Sequence, residues 1–192
     1  LTDSPQVTTC HTQGLVITDS QIRISCCLYN TENRKERSYQ NDAYLLSTDL
    51  SSVLSTQPHQ KPKWELEKIT EMAPLEESER IAKSVLEKKS AFDPKKERFP
   101  MGHPSGIALD KERGSAWLAL SVYGPRSYSR LKQLHSLNYK SFDIPDHLGA
   151  VVPLQDNLII GPTWGSHEFL VLDSKSGEWR KYPNNLLEQV DY

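Results

Sequence analysis

The sequence predicts an all-β fold made of repeated four-stranded units and interrupted by one amphipathic helix. Three observations predict it. A histidine opens three similar hairpins: His11-Thr12-Gln13-Gly14-Leu15-Val16-Ile17, His103-Pro104-Ser105-Gly106-Ile107-Ala108-Leu109-Asp110 and His147-Leu148-Gly149-Ala150-Val151-Val152. His103 and His147 stand 44 residues apart, inside the ~40–45 of a four-stranded propeller blade. Runs such as Trp117-Leu118-Ala119-Leu120 and Leu158-Ile159-Ile160 are apolar at consecutive positions, as in sheets covered on both faces. The predicted architecture is therefore β-propeller-like, with about three four-stranded blades of a larger ring. One domain spans 1–192, with blades at 10–72, 101–145 and 146–184, a helical insertion at 73–100 and the start of a further blade at 185–192.

Residues 14–17, a turn at Thr18-Asp19-Ser20 and residues 21–28 read as a hairpin. In its second run Ile22, Ile24, Cys26 and Leu28 alternate with Arg23, Ser25 and Cys27, the period of a strand. Asn30 to Asp42 reads as a long polar loop. Strands resume at Ala43-Tyr44-Leu45-Leu46 and, after a connection rich in Ser, Gln and Pro, at Trp64 to Ile69. No helix is expected among these four strands.

The next segment changes period. Leu75, Ala82, Val85 and Leu86 recur at helical spacing, with Ser78 and Lys89 on the same face, which predicts an amphipathic helix of about four turns. Pro74 suits its first turn, Glu76, Glu77 and Glu79 its N-terminal end, and Lys88 and Lys89 its C-terminal end.

The second unit runs from Gly106 to Leu109, turns, and continues from Ser115 to Val122; Gly124 to Ser129 is a loop. Leu131 to His135 and Tyr139 to Ile144 form an outer hairpin. The third unit comprises Ala150–Leu154, Leu158–Gly161, Phe169–Leu172 and Glu178–Tyr182, with Asp173-Ser174-Lys175-Ser176-Gly177 as a hairpin loop.

Composition excludes several function classes. A formal net charge of -2 leaves no electrostatic footprint for nucleic acid, and Arg34-Lys35-Glu36-Arg37 and Lys95-Lys96-Glu97-Arg98 are short and diluted by glutamate. No run approaches the ~18 apolar residues of a membrane span. Of three cysteines, Cys26 and Cys27 are adjacent on a strand and point to opposite faces, so one of them at most can bridge to Cys10. A bridge and buried thiols both remain open. The first residue is Leu1 rather than Met, which suggests a trimmed chain and leans towards a secreted or periplasmic location.

Two motifs carry a resemblance. His11-Thr12-Gln13-Gly14-Leu15 resembles the blade opening of glutaminyl cyclotransferase-type propellers. His103-Pro104-Ser105-Gly106-Ile107-Ala108-Leu109-Asp110 resembles openings in the six-bladed group that holds strictosidine synthase-like, NHL-repeat and gluconolactonase-like proteins. The chain as a whole is similar to a propeller-like family of unknown function. Those families close rings of about six blades where three fit here, so the resemblance implies a truncated ring with open blade edges and a tendency to self-associate. The metal ligands of the gluconolactonase-like members find no match.

If the blade reading holds, the first strand of each blade lines a channel, and His11, His103 and His147 gather near its mouth. Three imidazoles there suit a divalent ion such as Zn²⁺ or Ca²⁺ with an open position for water; the alternative is that each fixes a turn through a backbone bond. His103 and His167 are the candidate catalytic bases, while Gln13, Ser105, Trp164 and Arg126 are the candidate ligand contacts. Glu168 beside His167 is a second candidate base, and Tyr123, Tyr128 and Arg130 join Arg126 as a grip for an anion. Ser105 lacks a nucleophile elbow, and there is no P-loop, GxGxxG or HExxH. The expected function is a small-molecule-binding propeller with a histidine-lined channel mouth, acting, if an enzyme, as a metal-dependent hydrolase or lyase. The competing expectation is a non-catalytic protein-interaction scaffold.

Overall fold

A computed structural model of the chain describes residues 10–28, 41–57, 60–81, 83, 98–122, 127–134 and 140–185. The fold is mostly β, and its strands are antiparallel throughout. Strands β1 (His11–Ile17), β2 (Gln21–Leu28), β3 (Asp42–Asp49) and β4 (Glu65–Lys68) form the first four-stranded meander in chain order. Thr18 closes the first hairpin, its N–H donating to the Gln21 carbonyl while its hydroxyl accepts the Gln21 N–H. A short helix, α1 (Leu50–Ser55), lies between β3 and β4, where none was expected. The Leu50 N–H donates to the Ser20 carbonyl, and the Thr56 hydroxyl returns to the Ser52 carbonyl at 2.5 Å, so local bonds rather than an apolar face hold it.

The inserted segment is bracketed by a two-stranded ribbon, β5 (Glu71–Met72) with β6 (Pro100–Met101). Between them α2 (Leu75–Ile81) begins where the spacing predicted. Its buried residues are Ser78 and Ile81, whereas Leu75, the first residue of the expected apolar face, is exposed. Ser78 is buried because its hydroxyl accepts the Phe99 N–H. The remainder of the predicted helix, including Val85 and Leu86, lies outside the described residues, as do most of the Asn30–Asp42 loop and residues 186–192.

In the second meander the inner strand is broken into β7 (His103–Pro104) and β8 (Ala108–Asp110), both paired with β9 (Ser115–Ser121). Ser105 causes the break: its hydroxyl takes the Ala119 N–H at 2.9 Å in place of a backbone carbonyl. Strands β10 (Ser129–Leu134) and β11 (Ser141–Ile144) complete the sheet. The third meander is β12 (Val152–Pro153), β13 (Leu158–Pro162), β14 (Glu168–Asp173) and β15 (Trp179–Pro183). Asp156 and Asn157 both have positive φ at its first turn, the conformation a tight hairpin demands of its two central residues.

The second sheet lies between the other two. Every residue of β9 is buried, and its side chains alternate between two cores. Ala116, Leu118 and Leu120 join Val16, Ala43, Leu45 and Ile107 on one side, while Trp117 and Ala119 join Leu148, Val151, Ile159, Leu170 and Leu172 on the other. β1 lies against β8 and β12 against β8, so the first strands of the three sheets are neighbours. Small residues make this approach possible. A Cβ on Gly14 would lie 2.6 Å from the Ile107 nitrogen, and one on Gly102 would overlap the Asn41 carbonyl. The Ser25 hydroxyl and Cys27 thiol then donate across the seam to the carbonyls of Ser105 and Gly102. Cys10 and Cys26 form a disulfide, which settles the open cysteine question, and Cys27 is a buried free thiol.

Candidate functional site

His11, His103 and His147 each stand at or just before the first strand of a different sheet, and the packing of those strands draws them together. The His103 and His147 rings are 5.1 Å apart, centroid to centroid. Trp164 stands edge-on to both, 4.6 Å from His147 and 6.3 Å from His103. His11 is near enough that its charge bears on His103. The site is thus a cluster of three aromatic rings with a third histidine beside it.

Each member is held by identifiable bonds. The His147 Nδ1 lies 3.0 Å from the Val122 carbonyl, which can only accept, so the ring donates from Nδ1. In the neutral ring Nε2 then carries the lone pair. The Ser127 hydroxyl, 3.2 Å from the same nitrogen, also donates to Val122. On either side of His147 the backbone is clamped by Ser129, whose hydroxyl donates to the Asp146 carbonyl at 2.7 Å and accepts the Leu148 N–H at 2.9 Å. Ser121 Oγ sits 2.7 Å from that of Ser129. The Asp146 carboxylate accepts the His147 N–H and, on its other oxygen, Lys181.

Trp164 is tied directly to its neighbour, its backbone N–H donating to the His147 carbonyl at 2.9 Å. The chain then reverses through Gly165 and Ser166, both at positive φ, which leaves the indole partly exposed at the surface. At β1 a bulge between Thr12 and Gly14 takes Gln13 out of register. The Gln13 amide donates to His11 Nδ1 at 2.6 Å. Bulges re-aim side chains in this way near the rims of sheets.

His103 is buried, and burial is the main reason its pKa falls, down to about 4; charge on His147 or His11 would lower it further. At neutral pH it is an uncharged acceptor and donor. It is a weak base.

The remaining expected residues divide. The buried Ser105 hydroxyl is occupied by backbone, donating to the Gly106 carbonyl and accepting from Ala119. His167 is exposed at the end of the turn over Trp164–Ser166, with its ring beside Gly165. Arg126 and Tyr123 lie outside the described residues. Tyr128 is buried, and Arg130 is committed to Asp143 at 2.7 Å and Glu71 at 2.9 Å rather than poised for an anion. Among the described residues no three His, Cys, Asp or Glu side chains come together in a way that could hold a metal ion. A three-histidine ion site does not fit this arrangement.

Sequence reasoning missed the supports: Ser121, Ser127, Ser129, Asp146 and the Val122 carbonyl. A signal was present, in that Ser127 and Ser129 flank a tyrosine at the start of an apolar strand and Asp146 precedes His147, but their partners are fixed only by the fold. A search of family models, of curated proteins and of solved structures finds no match to this chain.

Proposed function

We propose that the three meanders are blades of a β-propeller and that His11, His103, His147 and Trp164 form a binding site for a neutral small molecule at its channel mouth. One observation carries this reading. Two histidines from separate sheets, 44 residues apart in sequence, meet beside a partly exposed indole, and His11, from a third sheet and 92 residues before His103, lies near enough for its charge to bear on His103. Three successive four-stranded meanders with neighbouring first strands support the blade assignment.

The chemistry favours binding over proton transfer. A base whose pKa is about 4 has little drive to take a proton at neutral pH, so His103 serves better as a hydrogen-bond partner. His147 is fully buried, its ring direction set by the Val122 bond, and it packs against His103 and Trp164 to position them. An indole face suits C–H-rich or flat surfaces. The matching ligand is uncharged, with hydroxyl or amide N–H donors around an apolar face, as in a sugar or cyclic polyol.

The test is a titration of the chain with glucose, N-acetylglucosamine and inositol, read by tryptophan emission and thermal shift. Binding should quench emission in the parent protein, disappear from the emission signal in Trp164→Phe, and weaken at least ~10-fold in His103→Ala and His147→Gln. If none of the three binds, or binding survives both histidine changes, the reading fails.

A further inference from the structure

The middle sheet has both faces covered, but the two end sheets each turn one apolar face outward. On the first sheet Leu15, Ile24, Leu46 and Leu66 pair in a single row across all four strands. Leu15 and Leu66 are 53% and 45% exposed, and Ile17 beside them is 52% exposed. The nearest charges on that face, Lys68 and Asp42, pair with each other at 2.8 Å. On the third sheet Val152, Ile160 and Val171 make an equivalent row that ends at Arg180, and Phe169 pairs with Tyr182 in the next. Val152 and Tyr182 are each 49% exposed. Contiguous apolar faces of this kind mark interaction surfaces.

We propose that these two faces are the two halves of one head-to-tail interface, and that two copies of this chain close into a ring of six sheets. Within one copy each sheet is covered by the next in chain order. Repeating that relation places the third sheet of one copy on the first sheet of the other. Two copies supply six sheets, within the four to eight of closed propellers, and a closed ring leaves no end face exposed. Ring closure rests on the propeller reading above.

The areas agree. Four strands ~4.8 Å apart and five or six residues long give each face a footprint of roughly 300–400 Å². A two-copy ring has two seams and covers four such faces, roughly 1,200–1,600 Å² in all. That is the size of a stable, specific interface. A single seam reaches only half of it, so closure is what makes the assembly stable.

The experiment is light scattering after size-exclusion chromatography on the 192-residue chain, from about 1 to about 100 µM. The expected result is one species of twice 21.9 kDa at the upper end. Leu66→Glu and Val152→Lys should each weaken dimerisation at least ~100-fold. Mixed in equal amounts they should recover a dimer, because one seam is then unaltered and the other sets the two new charges face to face. Recovery on mixing also shows that both variants are folded. A monomer throughout the range overturns the proposal and assigns the faces to some other cover. So does a dimer that survives Val152→Lys alone, since the first sheet would then pair with itself, and so does growth to larger species with concentration. His103→Ala should leave the dimer intact, so failure of assembly and failure of ligand binding report on separate readings.

Discussion

Replacing Ser129 by Ala tests whether the buried serines position the histidine cluster. The Ser129 hydroxyl is fully buried; it donates to the Asp146 carbonyl and accepts the Leu148 N–H, the two peptide groups that flank His147. Alanine removes one oxygen and takes a partner from both groups and from the Ser121 hydroxyl, which sits 2.7 Å from it. Each unsatisfied buried polar group costs about 1–3 kcal/mol, and partial relaxation keeps the pair from adding fully, so the expected loss is about 2–4 kcal/mol. With an m-value of about 2 kcal/mol/M the urea midpoint should fall by about 1–2 M, and the m-value itself should not change. Ser20→Ala, at an exposed turn, is the control and should stay within about 0.5 kcal/mol. A second readout is specific to position. In Ser129→Ala the NMR resonances of the His147 ring and the Trp164 indole should both move, because the Trp164 backbone N–H is bonded to the His147 carbonyl and the two rings are in contact. A loss below about 0.5 kcal/mol, or a destabilised protein whose His147 and Trp164 resonances stay in place, would refute the argument.

Acid should weaken the fold through His103. Its folded pKa, about 4, lies below the ordinary 6.5, so on acidification the unfolded chain takes up a proton first and stability falls between those two values. The loss approaches roughly 3 kcal/mol by pH 4, and His103→Gln should flatten that part of the urea-midpoint profile; an unchanged slope would exclude His103 as its source. Gly14→Val should lower stability by about 1–3 kcal/mol or more, because its Cβ would meet the Ile107 nitrogen and Gly106 Cα, both backbone atoms; a normal melting temperature would disprove the close approach of β1. Reducing the Cys10–Cys26 bridge, which spans a separation of 16 residues, should cost about 3 kcal/mol, measured by melting with and without reductant. Cys27, whose thiol is pushed up to about 12 by burial and then by Asp42, should react with Ellman's reagent only on unfolding, and rapid labelling of the native protein would contradict its placement.

The strands were legible wherever side chains alternate or run apolar for several residues. β2 shows the period directly in Ile22, Ile24 and Cys26, and β9 shows the continuous run that belongs to a covered sheet, whereas β13 and β14 run apolar yet bury alternate residues, because one face of their sheet is open. α1 was not legible, because six residues with no buried side chain and no side-chain bond at the Asp49 N-cap leave no period or start signal to detect. In α2 the spacing marked the start, but Leu75 faces water. Docking is set by Ser78, whose value lies in a hydrogen bond to Phe99 that spacing cannot reveal. The break between β7 and β8 has the same origin, since a serine hydroxyl stands in for a backbone group.

The histidine cluster was partly legible. The repeated hairpin opening singled out His11, His103 and His147, and packing of the first strands brings His103 and His147 into ring contact with His11 near enough to influence His103. Their chemistry was not legible, because the low pKa of His103 and the donor nitrogen of His147 depend on burial and on a carbonyl 25 residues away in sequence. Arg130 shows the converse. In sequence it stands among tyrosines and arginines like an anion grip, but Glu71 and Asp143, distant in sequence, already neutralise it.

The alternation along β9 has a consequence for how the molecule comes apart. Stacked repeats often unfold piecemeal, because each unit is tied to its neighbour by a separate interface whose strength varies independently. Here one seven-residue strand supplies side chains to both interfaces, odd positions to one and even positions to the other. Shifting its register by one residue would exchange the two sets and spoil both interfaces at once. β9 therefore couples the outer sheets, alongside the contacts that both make with β8, and the three sheets should melt in one cooperative transition rather than shed from the ends.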